Sequence, residues 1–219
     1  MAERRAAFDA LTENGPAFYA ALNFLGALHR EFRRSELFPE AESQLGGLAE
    51  VANDRAFRLV VAPDLLPDLF LAGSVSGLEE RVRKTAWEQL YEISWADLIA
   101  GVRSALPGAD ITVLTHSGVA LGDEPLARHL FGPAAAIVDD ALFLRECLND
   151  TGKAVLARMG GGSPPADVAR DLYRSFADRV DAALCLERLG LDRLTRKLLM
   201  QRHDEDIERI RSLDRVEVM

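Results

Sequence analysis

The sequence predicts an α/β fold: a small, mostly parallel sheet covered by helices, with an N-terminal amphipathic helix and a C-terminal helical hairpin. Three features of the chain carry this prediction. Short apolar runs of strand length alternate with longer segments of helical period, which is the signature of strand–helix–strand crossovers. Residues 110–115 (DITVLT) are β-branched and alternating, the strongest strand signal in the chain. The stretches before residue 54 and after residue 165 carry only the three-to-four spacing of helical stripes.

Taken in order, Asn14 is placed to cap a helix and Pro16 to occupy its first turn, and Phe18, Leu22, Leu25, Leu28 and Phe32 then mark one face. A long amphipathic helix over about residues 15–34 follows. Pro39 opens a shorter helix through Leu45, Leu48 and Val51, weakened by Gly46 and Gly47. At Ala56 the character changes. Phe57, Leu59, Val60 and Val61 make a compact run ended by Pro63 and Asp64, suited to a buried strand. Leu69, Phe70 and Leu71 offer a further short strand before a loop at residues 73–77.

Residues 78–91 read as one helix with Leu78, Val82, Ala86 and Leu90 on a common face. Ser94 precedes Asp97 by three positions, the spacing of a capping box, so a new helix starts near Trp95 and stops at Pro107 and Gly108. After the strand at 110–115, Asp123 begins a short helix over 125–130 that Gly132 and Pro133 close. Residues 134–138 (AAAIV) form a third candidate strand, and Asp139 and Asp140 open the next helical stretch. The run GGGSPP at 160–165 is the clearest internal boundary. Beyond it, Leu172, Phe176, Val180, Ala183 and Leu184 mark one stripe, Gly190 stops it, and Leu191, Leu194, Leu198, Ile207 and Ile210 mark another. One domain over 1–219 is expected, with a helical part at 1–53, an α/β core at 54–158 and a hairpin at 165–215.

Composition sets outer bounds. With 219 residues, 48% hydrophobic and 28% charged, the chain has the make-up of a globular domain with a sizeable core. A net charge of -9 disfavours nucleic acid as a partner, because phosphate neutralisation needs a basic face. Three local clusters run against that trend: Arg30, Arg33 and Arg34; Arg81, Arg83 and Lys84; Arg193, Arg196 and Lys197. Each has acids nearby and reads as a solvated helix face. No run approaches the roughly 18 apolar residues of a membrane span, and the first five residues lack the apolar core of a secretory signal. A cytoplasmic protein without membrane contact is expected. Cys147 and Cys185 have no zinc or disulfide spacing and read as free thiols.

Two functions of different class follow. The amphipathic helices at both flanks point to a non-catalytic module that presents apolar faces to a second copy, as a homodimer, or to a protein partner. The alternative is a small hydrolase or metal-dependent enzyme. If the strands are parallel, Asp64, His116 and Asp139, with Asp140 beside it, follow strand C-termini, where open α/β sheets bind ligands. An imidazole between carboxylates suits acid–base chemistry or a divalent metal. No motif names a cofactor or a metal.

Other constellations are weaker. Ser117 lacks the Gly-x-Ser-x-Gly elbow, and Cys147 sits in an apolar helical context. Gly160–Gly162 and Thr151-Gly152-Lys153 have the composition of a phosphate loop without its spacing, so a linker is the expectation for the glycine run. Glu80 and Lys84 are four apart on a helix, which does not fit a nuclease acid-x-lysine pair. His203 lies on the stripe of Leu199, Ile207 and Ile210 as a core-edge residue, while His29 and His129 receive no role.

Overall fold

Three short strands lie side by side, all parallel, in the order β1 (Arg58–Val61), β2 (Asp110–Val113), β3 (Val216–Val218). They belong to a computed structural model that describes residues 38, 41–52, 58–63, 66–72, 78–122, 126, 128–129, 132, 141–160, 164–179 and 181–219. The protein is a small α/β fold whose parallel sheet is covered by helices. Register puts Leu59 opposite Ile111 and Ile111 opposite Val216, with Val61, Val113 and Val218 aligned likewise. The pleat therefore sorts six aliphatic side chains onto one face and leaves Arg58, Thr112 and Glu217 on the other. The apolar face is the floor of the larger core.

Helices α1 (Ala41–Ala52), α2 (Leu66–Ala72), α3 (Leu78–Lys84), α4 (Trp87–Glu92) and α5 (Trp95–Ala105) precede β2. After it come α6 (His116–Leu121), α7 (Leu142–Glu146), α8 (Asp150–Arg158), α9 (Ala166–Phe176), the short α10 (Ala182–Leu184), which runs into a π-helical turn at Cys185–Leu189, and the long α11 (Arg193–Arg211). Leu45 of α1, Phe70 of α2, Ile99 and Val102 of α5, and Leu199, Ile207 and Ile210 of α11 fill the larger core with Ile111 and Val113. A second core joins Ala120 of α6, Leu144 of α7, Leu156 of α8 and Ala169, Leu172 and Tyr173 of α9, together with Leu148. Each core buries side chains worth roughly 1.5–3 kcal/mol apiece when fully removed from water. Among the described residues no helix is long and apolar enough to cross a membrane.

Several expectations are corrected. Leu69, Phe70 and Leu71 are helical, within α2, because Leu66 and Phe70 share a buried face at i, i+4 and Pro67 falls in the first turn, where its missing N–H costs nothing. Residues 78–91 form two helices, since the Thr85 hydroxyl donates to the Arg81 carbonyl at 2.8 Å and Ala86 is extended. Leu78, Val82 and Leu90 stay buried all the same. β2 also pairs with β3, a strand the sequence did not suggest, while the strand expected at 134–138 and the helix expected over 15–34 lie outside the described residues.

The capping box at Ser94 forms only by half. Ser94 Oγ accepts from Asp97 N at 3.1 Å, but the Asp97 carboxylate turns away to Arg209 at 2.6 Å. Asp206 of α11, almost fully buried, takes its place: one carboxylate oxygen accepts from Trp95 N at 2.7 Å and the other from Ser94 Oγ at 2.8 Å. Arg209 Nη1 lies 3.3 Å and Arg202 Nη2 3.7 Å from the same carboxylate. A negative charge at the positive end of α5 ties that helix to α11.

The Gly152 segment is also settled by packing. It lies inside α8, where a Cβ on Gly152 would stand 2.6 Å from Phe176 Cβ. The glycine lets α8 and α9 approach, so Thr151-Gly152-Lys153 is a helix contact and not a phosphate loop. Cys147 and Cys185 are both free thiols, the second fully buried.

Candidate functional site

Beyond β2 the chain turns at Thr115 and enters α6 at His116. Thr115 is extended, and its hydroxyl accepts from Gly118 N at 2.9 Å while donating to the Met219 carbonyl at 2.8 Å. Met219 N in turn donates to Val113 O, so the end of β3 clamps the exit of β2. The result is a fixed launch point for His116 at the C-terminal rim of the sheet.

A cleft of about 900 Å³ opens there. Pro63 after β1, Thr115, His116 and Ser117 after β2, Tyr173 of α9 with Asp178 and Arg179 beyond it, and His203, Asp204, Glu205 and Glu208 of α11 all line it. It runs between elements of the two cores. Crevices at the carboxyl ends of parallel strands are where open α/β sheets hold ligands.

At its centre, His116 Nδ1 lies 2.7 Å from the Tyr173 phenol oxygen, and the two rings sit 5.5 Å apart, tilted by 37°. Burial pushes the Tyr173 phenol above its ordinary range; Arg179 opposes that as a hydrogen-bond donor and a positive charge, and Cys147 adds to the rise. The phenol is therefore neutral at physiological pH. Arg179 stands over this side chain, its Cζ 6.0 Å from the Tyr173 ring centroid. The hydrogen bond between His116 Nδ1 and the phenol fixes one edge of the imidazole ring on the cleft wall.

Of the acids and histidine expected at the strand ends, His116 stands in the cleft. Asp64 and Asp139, with Asp140, lie outside the described residues, although Pro63, the neighbour of Asp64, lines the cleft. Ser117 lines it too, its Oγ 3.3 Å from Thr115 Oγ1. Cys147 packs on the second core. Glu80 and Lys84 form an exposed ion pair of 2.6 Å on α3. Among the described residues no three His, Cys, Asp or Glu side chains gather as metal ligands.

Sequence reasoning missed two partners. Tyr173 stands beside the Leu172 stripe, and its importance comes from the packing of α9 on α6, 57 residues away. His129, assigned no role, spans the polar face of the sheet: Nε2 lies 2.8 Å from Thr112 Oγ1, Nδ1 lies 3.5 Å from Glu217, and its carbonyl accepts from Arg58 at 2.7 Å. Hydroxyl, imidazole and carboxylate follow one another as in a nucleophilic relay. Thr112, however, is only 1% exposed, so no substrate reaches its oxygen. The trio satisfies a buried hydroxyl and ties the three strands together. The alternation of β2 held the clue, because Thr112 points opposite to Ile111 and Val113 and needs a polar partner.

Comparison with protein-family models, with curated proteins and with solved structures finds no match for this chain.

Proposed function

We propose that the protein binds a small polar molecule in the cleft at the strand C-termini and that His116, oriented by Tyr173, exchanges a proton with it. The observation that carries this reading is the 2.7 Å contact between an exposed imidazole and a buried, neutral phenol on the cleft wall. A histidine held in one orientation at the cleft wall is prepared for general acid–base work. The phenol acts as a positioning group: it holds the ring through its contact with Nδ1. Hydrolysis of a small ester or amide is the reaction class that needs least beyond such a group and water.

The test is a thermal-shift screen of small carboxylates, phosphate esters, amines and activated esters on the wild type, His116→Asn and Tyr173→Phe. A ligand at a hundredfold excess over its Kd raises the wild-type Tm by about 5 °C or more. His116→Asn abolishes that shift, and Tyr173→Phe weakens it. A wild type that responds to no class, or responds identically to His116→Asn, overturns the reading.

The assembly reading retains one supporting observation. Leu184, Leu186 and Leu194 are exposed around the turn between α10 and α11, Leu194 by 64%. A self-association surface there predicts a concentration-dependent mass in light scattering, lost in Leu186→Glu. The cleft is the better supported site, because single exposed leucines are common on monomers.

A further inference from the structure

The walls of the cleft differ in charge and in how their charges are used. On the α11 side, Arg211 pairs with Glu208, Arg202 with Glu205 at 3.8 Å, and Arg209 with Asp97 and Asp206. Those cations are already neutralised by carboxylates. Arg179, on the α9 side, is different. It is exposed, it lines the cleft, and among the described residues no carboxylate stands within ion-pairing distance of it. Its neighbour is the Tyr173 ring, an interaction that leaves most of the guanidinium's five donors unused.

We propose that the ligand carries a carboxylate or phosphate end group and that Arg179 is the residue that selects it. The proposal rests on the cleft being the ligand site and adds the class of ligand. A guanidinium presents parallel N–H donors that match the paired oxygens of an oxyanion, which an ammonium cannot do. Tyr173 beneath it restricts the side chain, so less freedom is lost on binding. Asp204 lines the α11 wall, where the other acids are already paired with arginines, so one anionic end is bound at Arg179 and the opposite end faces α11. Arg179 also stands over the ring of Tyr173, whose phenol touches His116 Nδ1. An oxyanion drawn to Arg179 is therefore sensed at the imidazole.

The experiment follows the ring resonances of His116 by NMR in histidine-labelled protein, titrated with acetate in one arm and inorganic phosphate in another, at constant ionic strength and pH. The wild type shows a saturable shift with at least one anion, and the stronger arm identifies the end group. Arg179→Gln weakens the apparent affinity by about tenfold, the usual loss of a charge-assisted hydrogen bond. Arg179→Lys, which keeps the charge without the fork, falls between. Identical titrations of wild type and Arg179→Gln overturn the proposal. A third arm uses spermidine. If the polyamine saturates the His116 shift and the anions do not, the cleft remains the ligand site and the anionic class is wrong. If neither sign of ligand moves His116 and the thermal screen is also silent, both readings fall together.

Discussion

Asp206 is the residue with the most at stake in its surroundings. It is 1% exposed, and its two oxygens serve Trp95 N, Ser94 Oγ, Arg209 and Arg202. Removing such a carboxylate costs more than the bonds it makes, because the donors left behind are buried without an acceptor. Asp206→Ala is expected to destabilise the protein by about 3–5 kcal/mol, the range for breaking a buried ionic cluster. Asp206→Asn should lose less, about 1–3 kcal/mol, since its amide oxygen still accepts from Trp95 N. Urea unfolding at neutral pH measures both. If Asp206→Ala stays within 0.5 kcal/mol of the wild type, roughly the size of an ordinary surface change, the cluster does not bind α5 to α11 energetically.

At the scale of elements, packing decides what local pattern leaves open. Gly152 has low helix propensity, yet it lies within α8, because only a hydrogen there lets α8 approach Phe176 of α9. Gly152→Ala gains about 1 kcal/mol of helix propensity, but a Cβ at 2.6 Å from Phe176 Cβ forces the helices apart. Overpacking of this kind costs about 1–3 kcal/mol, so the expected net effect is a loss in Tm, with the His116–Tyr173 contact loosened because Tyr173 rides on α9. A raised Tm would show that the α8–α9 contact is slack. The same competition explains what was legible in the sequence. The strands at Arg58–Val61 and Asp110–Val113 could be read because β-branched residues crowd into each run. The apolar triplet Leu69, Phe70 and Leu71 fits either period, and only the burial of Leu66 with Phe70 decides for helix. β3 has three residues, Val216, Glu217 and Val218, too few for periodicity to register, and it pairs because α11 delivers it beside β2. For the site, His116 was visible from its place after a strand. Tyr173 and Arg179 were not, since nothing local links residues 57 and more positions away.

At the scale of the whole molecule, the described residues pack into two cores, and each buries a group that must stay protonated. Cys185 lies in the larger core, where burial, with Asp68 and Asp181, pushes its thiol above the ordinary 9.0 against the pull of Arg196. Tyr173 lies in the smaller, its phenol raised above 10.0 mainly by burial. For both, the native state holds its proton to higher pH than the unfolded chain does. Where the unfolded chain has lost that proton and the native state has not, the unfolded state binds fewer protons, so stability falls as pH rises. The stabilisation is complete below the unfolded values and is lost through the folded ones, which places the decline above about pH 9. Cys185→Ala should flatten the first part of that decline and Tyr173→Phe the second. Urea midpoints between pH 7 and 11 followed by the fluorescence of Trp95 in a Trp87→Phe background report the larger core, and amide exchange at Leu156 and Leu172 reports the smaller. If the cores unfold as one cooperative unit, each substitution flattens the curve seen by both probes. If the cleft between them is also a line of weakness, Tyr173→Phe changes only the exchange of the smaller core, and ligand binding across the cleft should then restore a single transition.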